Sequence, residues 1–359
     1  MPKLKEKLGN INIDGSLRFD EPMARHTTFE VGGPADLYVR PASVRDVRTI
    51  LQLGRQLGER VFTLGGGANI LVSDAGIRGI VMDMGEFTEV AIEQADTPPP
   101  QPPARTTADA PSADSDAAAT VYARVGAGLA VSDAAAALAE RGLAGLDFLY
   151  AMPGSVGGAV WMNARCYGSS IIDILESVDM VTAEGEATTY RAREEDFAYK
   201  VSPFQSNKAV ILAARLRLHR EAPERIWERM REHEEDRTTK GHFSGPSAGS
   251  VFKNNRSFGK PSGQIIDSLG LRGYQIGGAR ISDEHANIII NTGEAKAADI
   301  RALIDHVEAQ VRDRLGLQLE REVLLAGDWA ADGAGDRGEE RGGDRVGDRP
   351  RGSAAADRS

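Results

Sequence analysis

The sequence predicts a mixed α+β protein of more than one domain. The chain has 359 residues, more than one ordinary core accommodates. Short apolar runs of strand type alternate along it with segments of helical periodicity. Forty glycines gather in clusters at the ends of those runs, where turns and ligand-binding loops are built. A hydrophobic share of 41% against 27% charged residues is the balance of a globular protein. The net charge of −10 argues against a nucleic-acid partner, because binding a phosphate backbone needs a basic face. The first fifteen residues lack the apolar centre of a signal peptide, and no run of about 18 apolar residues suggests a membrane span. A cytoplasmic protein is expected. One cysteine, Cys166, excludes an intrachain disulfide.

Taken in order, residues 26–40 read as a strand, a Gly32-Gly33-Pro34 turn and a second strand. Val44, Val47, Ile50, Leu51 and Leu57 then follow helical spacing, with Ser43 as N-cap and Gly58 as C-cap. Val61–Leu64 is a short buried strand, and residues 77–84 are another. Residues 95–119, rich in Pro, Ala, Asp, Ser and Thr, bury too little to offset ordering entropy and read as a disordered insertion. Residues 121–125 resume the sheet, and 131–141 form an alanine-rich helix ended by Gly142. Strands are expected at 176–182, 187–191 and 209–218. Residues 223–240 form a charged helix, 262–269 a short one, and 286–291 a strand. Ile300, Leu303, Ile304, Val307, Val311 and Leu315 mark a long amphipathic helix. A last strand, 317–325, carries Glu320 and Glu322 on one face. Beyond residue 330 the chain has almost nothing to bury and reads as a disordered tail.

Four stretches carry candidate chemistry. Gly65-Gly66-Gly67-Ala68-Asn69 follows a buried strand directly, so bare backbone N–H groups can form a concave anion site; the other reading is a tight turn. It is neither the dinucleotide fingerprint nor a Walker loop. Pro153-Gly154-Ser155 and Val156-Gly157-Gly158 read as a turn into a helix start, a second anion site. Lys200, flanked by aromatics, either sits at a site mouth or snorkels at the surface. The stretch from Ser247 to Asn255 groups the Ser250 hydroxyl, the Lys253 cation and the Asn254 amide on one turn-to-strand segment. Cys166 reads as a buried small residue without a metal partner, and no metal site is expected.

Six blocks then stand in order between residues 22 and 327: HTTFEVGGPAD, GGGANILVSDAGIRGIVMDM, AMPGSVGGAVWMNA, SAGSVFKNN, GLRGYQIGGARISDEHANIIIN and LEREV. In these blocks the chain resembles the UDP-N-acetylenolpyruvoylglucosamine reductases, in their shorter branch without an extra tyrosine loop. The resemblance implies a two-lobed FAD-binding region of the vanillyl-alcohol-oxidase type across residues 1–220. A smaller α+β substrate-binding domain would follow at 221–330 and end on the strand with the catalytic glutamate. Gly65–Asn69 and Pro153–Gly158 would hold the FAD pyrophosphate.

The implied activity is reduction of UDP-N-acetylglucosamine enolpyruvate to UDP-N-acetylmuramate for peptidoglycan. NADPH would reduce FAD, which would pass hydride to the vinyl carbon. Ser250 matches the family's proton donor and Glu322 its catalytic glutamate, a carboxyl whose burial could keep it protonated. Lys200 stands where an arginine usually grips the substrate carboxylate, so a two-pronged clamp becomes a point charge. Lys253, Asn254 and His285 match substrate-contacting positions. Arg321 replaces a proline, Leu324 replaces an arginine that reaches the flavin, and Arg165 and Cys166 replace small residues. The rival readings are an FAD-dependent oxidase of a small alcohol or sugar, and a non-catalytic flavin-binding scaffold. The oligomeric state is left open, with a monomer favoured.

Overall fold

The computed structural model describes residues 12–93 and 120–330. The expectations for the 95–119 insertion and the 331–359 tail lie outside the described residues.

The first lobe carries β1 (Ser16–Pro22), β2 (Pro34–Arg40), α1 (Val44–Leu57), β3 (Val61–Leu64), β4 (Ile70–Val72) and β5 (Ile77–Asp83). Its sheet runs β1-β2-β5-β3, with β1 antiparallel to β2 and the other neighbours parallel. Alternation divides β2. Leu37 and Val39 face Val47, Ile50 and Leu51 of α1, while Tyr38 packs on the opposite face with Met23, Leu64 and Val72. The α1 caps are as expected: Ser43 Oγ accepts from Asp46 N–H, and Gly58 is left-handed at φ 69°.

One expectation fails here. Residues 26–31 do not form a strand. Glu30 turns left-handed at φ 57°, and its N–H donates to Thr27 O. Thr28 N–H donates to Gly67 O, so the segment is a loop laid against the glycine run. The strand that pairs antiparallel with β2 is β1, earlier in the chain.

The second lobe comprises β6 (Val90–Glu93), β7 (Val121–Gly126), α2 (Val131–Ala139), β8 (Leu143–Ala144), α3 (Val156–Trp161), β9 (Arg165–Cys166), β10 (Ser169–Ser170), α4 (Ile171–Ile174), β11 (Leu175–Val181), β12 (Ala187–Arg191), α5 (Phe204–Asn207), β13 (Val210–Arg220) and α6 (Pro223–Thr239). An antiparallel sheet in the order β12-β11-β13-β7-β6 forms its floor. Ala123, Val125, Ala214 and Leu216 of that sheet share a core with Val131, Leu138 and Val160 of the helices. Val181, Val210 and Leu212 pack instead with α1 and bind the two lobes together.

The domain boundary expected between residues 220 and 221 is misplaced. Ile226 and Met230 of α6 are fully buried in the second lobe's core, so that helix packs as part of the second lobe.

The third unit holds α7 (Ser262–Ser268), β14 (Gln275–Ile276), β15 (Ala279–Ile281), β16 (Ile289–Asn291), α8 (Ala297–Leu315) and β17 (Leu324–Ala326). Ile300, Leu303, Ile304, Val307 and Val311 of α8 pack against Ile265, Ala279, Ile281 and Ile289. The expected strand at 286–291 shortens to β16, and the one at 317–325 to β17. Glu320 and Glu322 precede β17 on an extended segment that bonds to the serine stretch: Lys253 N–H donates to Glu320 O at 2.9 Å, and Glu322 N–H to Val251 O at 2.7 Å. β17 then pairs parallel with β4 and returns the chain to the first lobe.

Candidate active site

The three units meet at a cleft of about 1540 Å3. The glycine loop enters it between β3 and β4, and the Pro153–Gly158 turn faces that loop from the second lobe. A Cβ on Gly66 would lie 2.7 Å from Gly154 Cα, and one on Gly67 only 1.9 Å from His26 O. Only bare backbone lets these segments approach so closely. Among the described residues, the N–H groups of Gly66, Gly67 and Ala68 make no hydrogen bond to protein. Orphan donors in a concave run suit an anion. Ser155 Oγ accepts from Gly158 N–H at 3.3 Å, so that one donor of the second cluster is already used as a cap. Ser155, Gly157 and Gly158 all line the cleft.

Lys200 is held in a tight turn. Ala198 and Val201 exchange two backbone hydrogen bonds of 3.1 Å, and Lys200 between them is left-handed at φ 60°. Buried Asn163 donates to Ala198 O at 2.8 Å and fixes that turn to the end of α3. Lys200 Nζ then reaches Glu322 Oε1 at 2.5 Å, with both side chains mostly buried. The carboxyl expected against a flavin therefore meets a cation. Lys200 lines the cleft, so the reading of a surface-snorkelling side chain fails. Asn69 Nδ2 donates to Glu322 O at 3.0 Å and ties the glycine loop to the glutamate segment.

Ser250 lines the same cleft, after Gly249 at φ 69°. Its hydroxyl makes no hydrogen bond among the described residues and is available to a ligand. Lys253 also faces the cleft but pairs with exposed Glu320 at 2.6 Å. Asn254 lines the wall, while its Oδ1 accepts from Ser262 N–H at 2.9 Å at the start of α7.

Two family models match the chain: a UDP-N-acetylenolpyruvoylglucosamine reductase C-terminal domain over residues 240–326, and an FAD-binding domain over residues 35–191. The UDP-N-acetylenolpyruvoylglucosamine reductase of Treponema denticola is 37% identical over 328 residues, covering 88% of this chain and 95% of the relative. The chain belongs to the UDP-N-acetylenolpyruvoylglucosamine reductase family. The Bacillus subtilis reductase is 35% identical over 331 residues, covering 91% and 99% of the two chains. The solved structure of the reductase from Thermus caldophilus matches with a TM-score of 0.67 at 29% identity, covering 88% of this chain and all of that one. These likenesses set the oxidase and scaffold readings aside. The chain is an FAD-dependent oxidoreductase with a two-lobed FAD-binding region and an α+β third unit.

Among the described residues, His285 is not one that lines the cleft. Its ring sits 5.3 Å from that of His242, which does. Burial, helped by the charge of Arg237, pushes His242 down to about 4, so its ring is neutral at pH 7. Arg237 of α6 is almost fully buried, lines the cleft, and donates to Ala151 O at 3.0 Å beside the second glycine cluster. Sequence reasoning missed His242, Arg237 and Tyr199. Tyr199 lines the cleft beside Lys200, and its hydroxyl accepts from Asn254 N–H at 3.4 Å; α6 read only as a charged helix. Arg321 turns away from the cleft onto Asp305 and Glu308 of α8. Leu324, Arg165 and Cys166 line the cleft, as Lys200 does.

Proposed function

We propose that this protein reduces the enolpyruvyl ether of UDP-N-acetylglucosamine to UDP-N-acetylmuramate in peptidoglycan synthesis, with NADPH as the hydride donor. The observation that carries this reading is a single cleft lined by the open Ser250 hydroxyl, the Lys200–Glu322 pair and both glycine loops. The family's relatives supply the substrate class.

FAD, when bound, supplies hydride chemistry between NADPH and the vinyl carbon of the ether. Gly65–Asn69 would hold its pyrophosphate on the unused N–H donors of Gly66, Gly67 and Ala68, and Pro153–Gly158 would bring bare backbone against it. Lys200 faces the substrate carboxylate and offsets charge as it spreads there in an enolate, a contact stronger in the transition state than before it. Ser250 gives its hydroxyl proton to the carbon beside that carboxylate; serine is a weak acid, so only a strong base such as an enolate draws it. Glu322 holds Lys200 in place at 2.5 Å. Lys253 and Asn254 bind the sugar nucleotide further along the wall.

Anaerobic mixing tests the proposal. NADPH should bleach the yellow holoenzyme, and the enolpyruvyl ether should restore the colour without oxygen, yielding UDP-N-acetylmuramate. A flavin that NADPH reduces but this ether leaves reduced would overturn the substrate assignment.

A further inference from the structure

Behind the glycine loop, outside the cleft, four polar side chains form one continuous chain. Glu21 Oε1 of β1 lies 3.0 Å from His26 Nε2. His26 Nδ1 lies 3.0 Å from the Tyr38 hydroxyl of β2, and the two rings stack with centroids 4.3 Å apart. The Tyr38 hydroxyl in turn bonds Asp83 of β5.

Counting hydrogens decides the state of the imidazole. Asp83 has Arg40 Nε at 3.5 Å, accepts from Gly85 N–H at 2.8 Å on one oxygen and from Tyr38 on the other, so both its oxygens act as acceptors. Tyr38 gives its single proton to Asp83; burial, then that bond, push its ionisation far upward and keep the phenol intact. Its oxygen can therefore only accept from His26, and Nδ1 must carry a proton. On the other side, Glu21 stands 3.3 Å from Arg18 and 3.9 Å from Arg25. The hydrogen bond from His26, then the charge of Arg18, hold its carboxyl below the usual range against the opposing effect of burial. Glu21 also can only accept, so Nε2 must carry a proton too. A neutral imidazole has one N–H and would leave one of these contacts as acceptor against acceptor.

The ring's position gives the charge a task. His26 O is the atom that a Cβ on Gly67 would strike, and Thr28 N–H donates to Gly67 O at 3.1 Å. His26 and Asp83 share a hollow of about 320 Å3 with Gly65 and Gly66. Glu21 and Asp83 stand behind this loop with Arg18, Arg25 and Arg40 around them, and His26 is the group that lies between the two carboxyls. We propose that His26 is an imidazolium that positions the glycine loop and sets a positive charge behind the pyrophosphate of FAD, resting on the assignment of that loop to the cofactor. The charged and titratable groups around it are Glu21 and Arg18 of β1, neighbouring Arg25, Tyr38 and Arg40 of β2, and Asp83 of β5.

Two measurements on the holoenzyme test this. In a 15N-histidine NMR spectrum at pH 7.5, the ring assigned to His26 by its loss in His26→Gln should show protons on both nitrogens. One bare nitrogen overturns the proposal, and this readout needs no functional variant. The second measurement is FAD release after dilution, followed by flavin fluorescence without any substrate. Release from the unaltered protein should quicken as pH rises from 6 to 9 and the ring loses its extra proton. His26→Gln should release FAD roughly tenfold faster at pH 7, about the factor one such contact is worth, with a flat profile. Faster release from the variant beside a flat profile in the parent would mean a merely structural histidine, and would also overturn it. Because no substrate is present, the outcome is independent of whether the enolpyruvyl ether is the substrate.

Discussion

Lys200 is where one residue controls most of the proposed chemistry. It is a non-glycine residue at φ 60°, a conformation that costs a β-carbon-bearing residue on the order of 1 kcal/mol and persists where surroundings enforce it. The enforcing contacts are the Ala198–Val201 turn and Asn163. Replacing Lys200 with Met keeps the stem and removes the charge. We expect re-oxidation of reduced flavin by the enolpyruvyl ether to fall by roughly 10²–10³, the scale of one lost electrostatic contact, with reduction by NADPH unaffected. Rapid mixing separates the two halves, and an unchanged re-oxidation rate at saturating substrate would rule Lys200 out. Arg215 is not free to take that place, because it pairs with Glu93 at 2.6 Å and lies over the face of Tyr122. Ser250→Ala should likewise slow only the second half-reaction, because its proton is needed only there. Equal slowing of both halves would show that Ser250 supports the fold of the cleft and does not donate.

At the scale of elements, the helix ends and loops that join units matter more than the units' interiors. Asp74, just after β4 in the first lobe, accepts from Ala297 N–H and Ala298 N–H, both at 2.9 Å, at the start of α8 in the third unit. An anionic acceptor on a helix N-terminus satisfies two orphan donors and complements the dipole. Asp74→Ala should therefore cost about 1 kcal/mol and lower the melting temperature by roughly 2 °C. Asp74→Asn, which keeps an acceptor, should recover part of it; a calorimetric scan without a loss in Asp74→Ala would show that water replaces the cap. Helix α1 explains why some elements were legible. Its apolar spacing and both its caps are local, so residues 43–58 specify it without help. The segment at 26–31 had the composition of a strand, yet its backbone bonds go to Gly67 and to itself, partners that local pattern does not reveal.

At the scale of the whole molecule, charge networks and chain entry points set what the fold tolerates. Arg229 of α6 bridges Glu221 at 2.7 Å and Asp147 at 3.1 Å within the second lobe. The Arg229 hydrogen bonds hold Glu221 low. Burial works against the Asp147 charge, but the Gly145 N–H and Arg229 outweigh it. Carboxyls lowered in the folded state stabilise it fully above their unfolded values near about 4, and that contribution drains as pH falls through the folded values. Acid unfolding should thus begin less steeply below about pH 4 in Arg229→Met, whose stability at pH 7 is already reduced; parallel curves for parent and variant would contradict the coupling. The segment joining β6 to β7 offers a second test. Glu93 and Tyr122 are paired in the antiparallel ladder, so the two strand ends already lie side by side. Replacing residues 96–118 with a short Gly/Ser bridge should leave bound FAD and turnover near parental values. Loss of flavin would show that the segment contributes to the cofactor lobes.

The sequence by itself determined the α+β class, most elements, the two glycine clusters and the family. Those features are written in local spacing, in caps and in blocks whose order survives along the chain. Only the tertiary structure decided that Lys200 meets Glu322, because residues 122 positions apart share no local pattern and meet through the Asn163-held turn. It decided that His242, not His285, reaches the cleft wall, and that α6 closes the second lobe. It also decided the proton count at His26, which depends on Glu21, Tyr38 and Asp83 arriving from three strands. A sequence states which groups are present. Protonation and pairing are set by which groups face each other at 3 Å across a low-dielectric interior, and only folding fixes that.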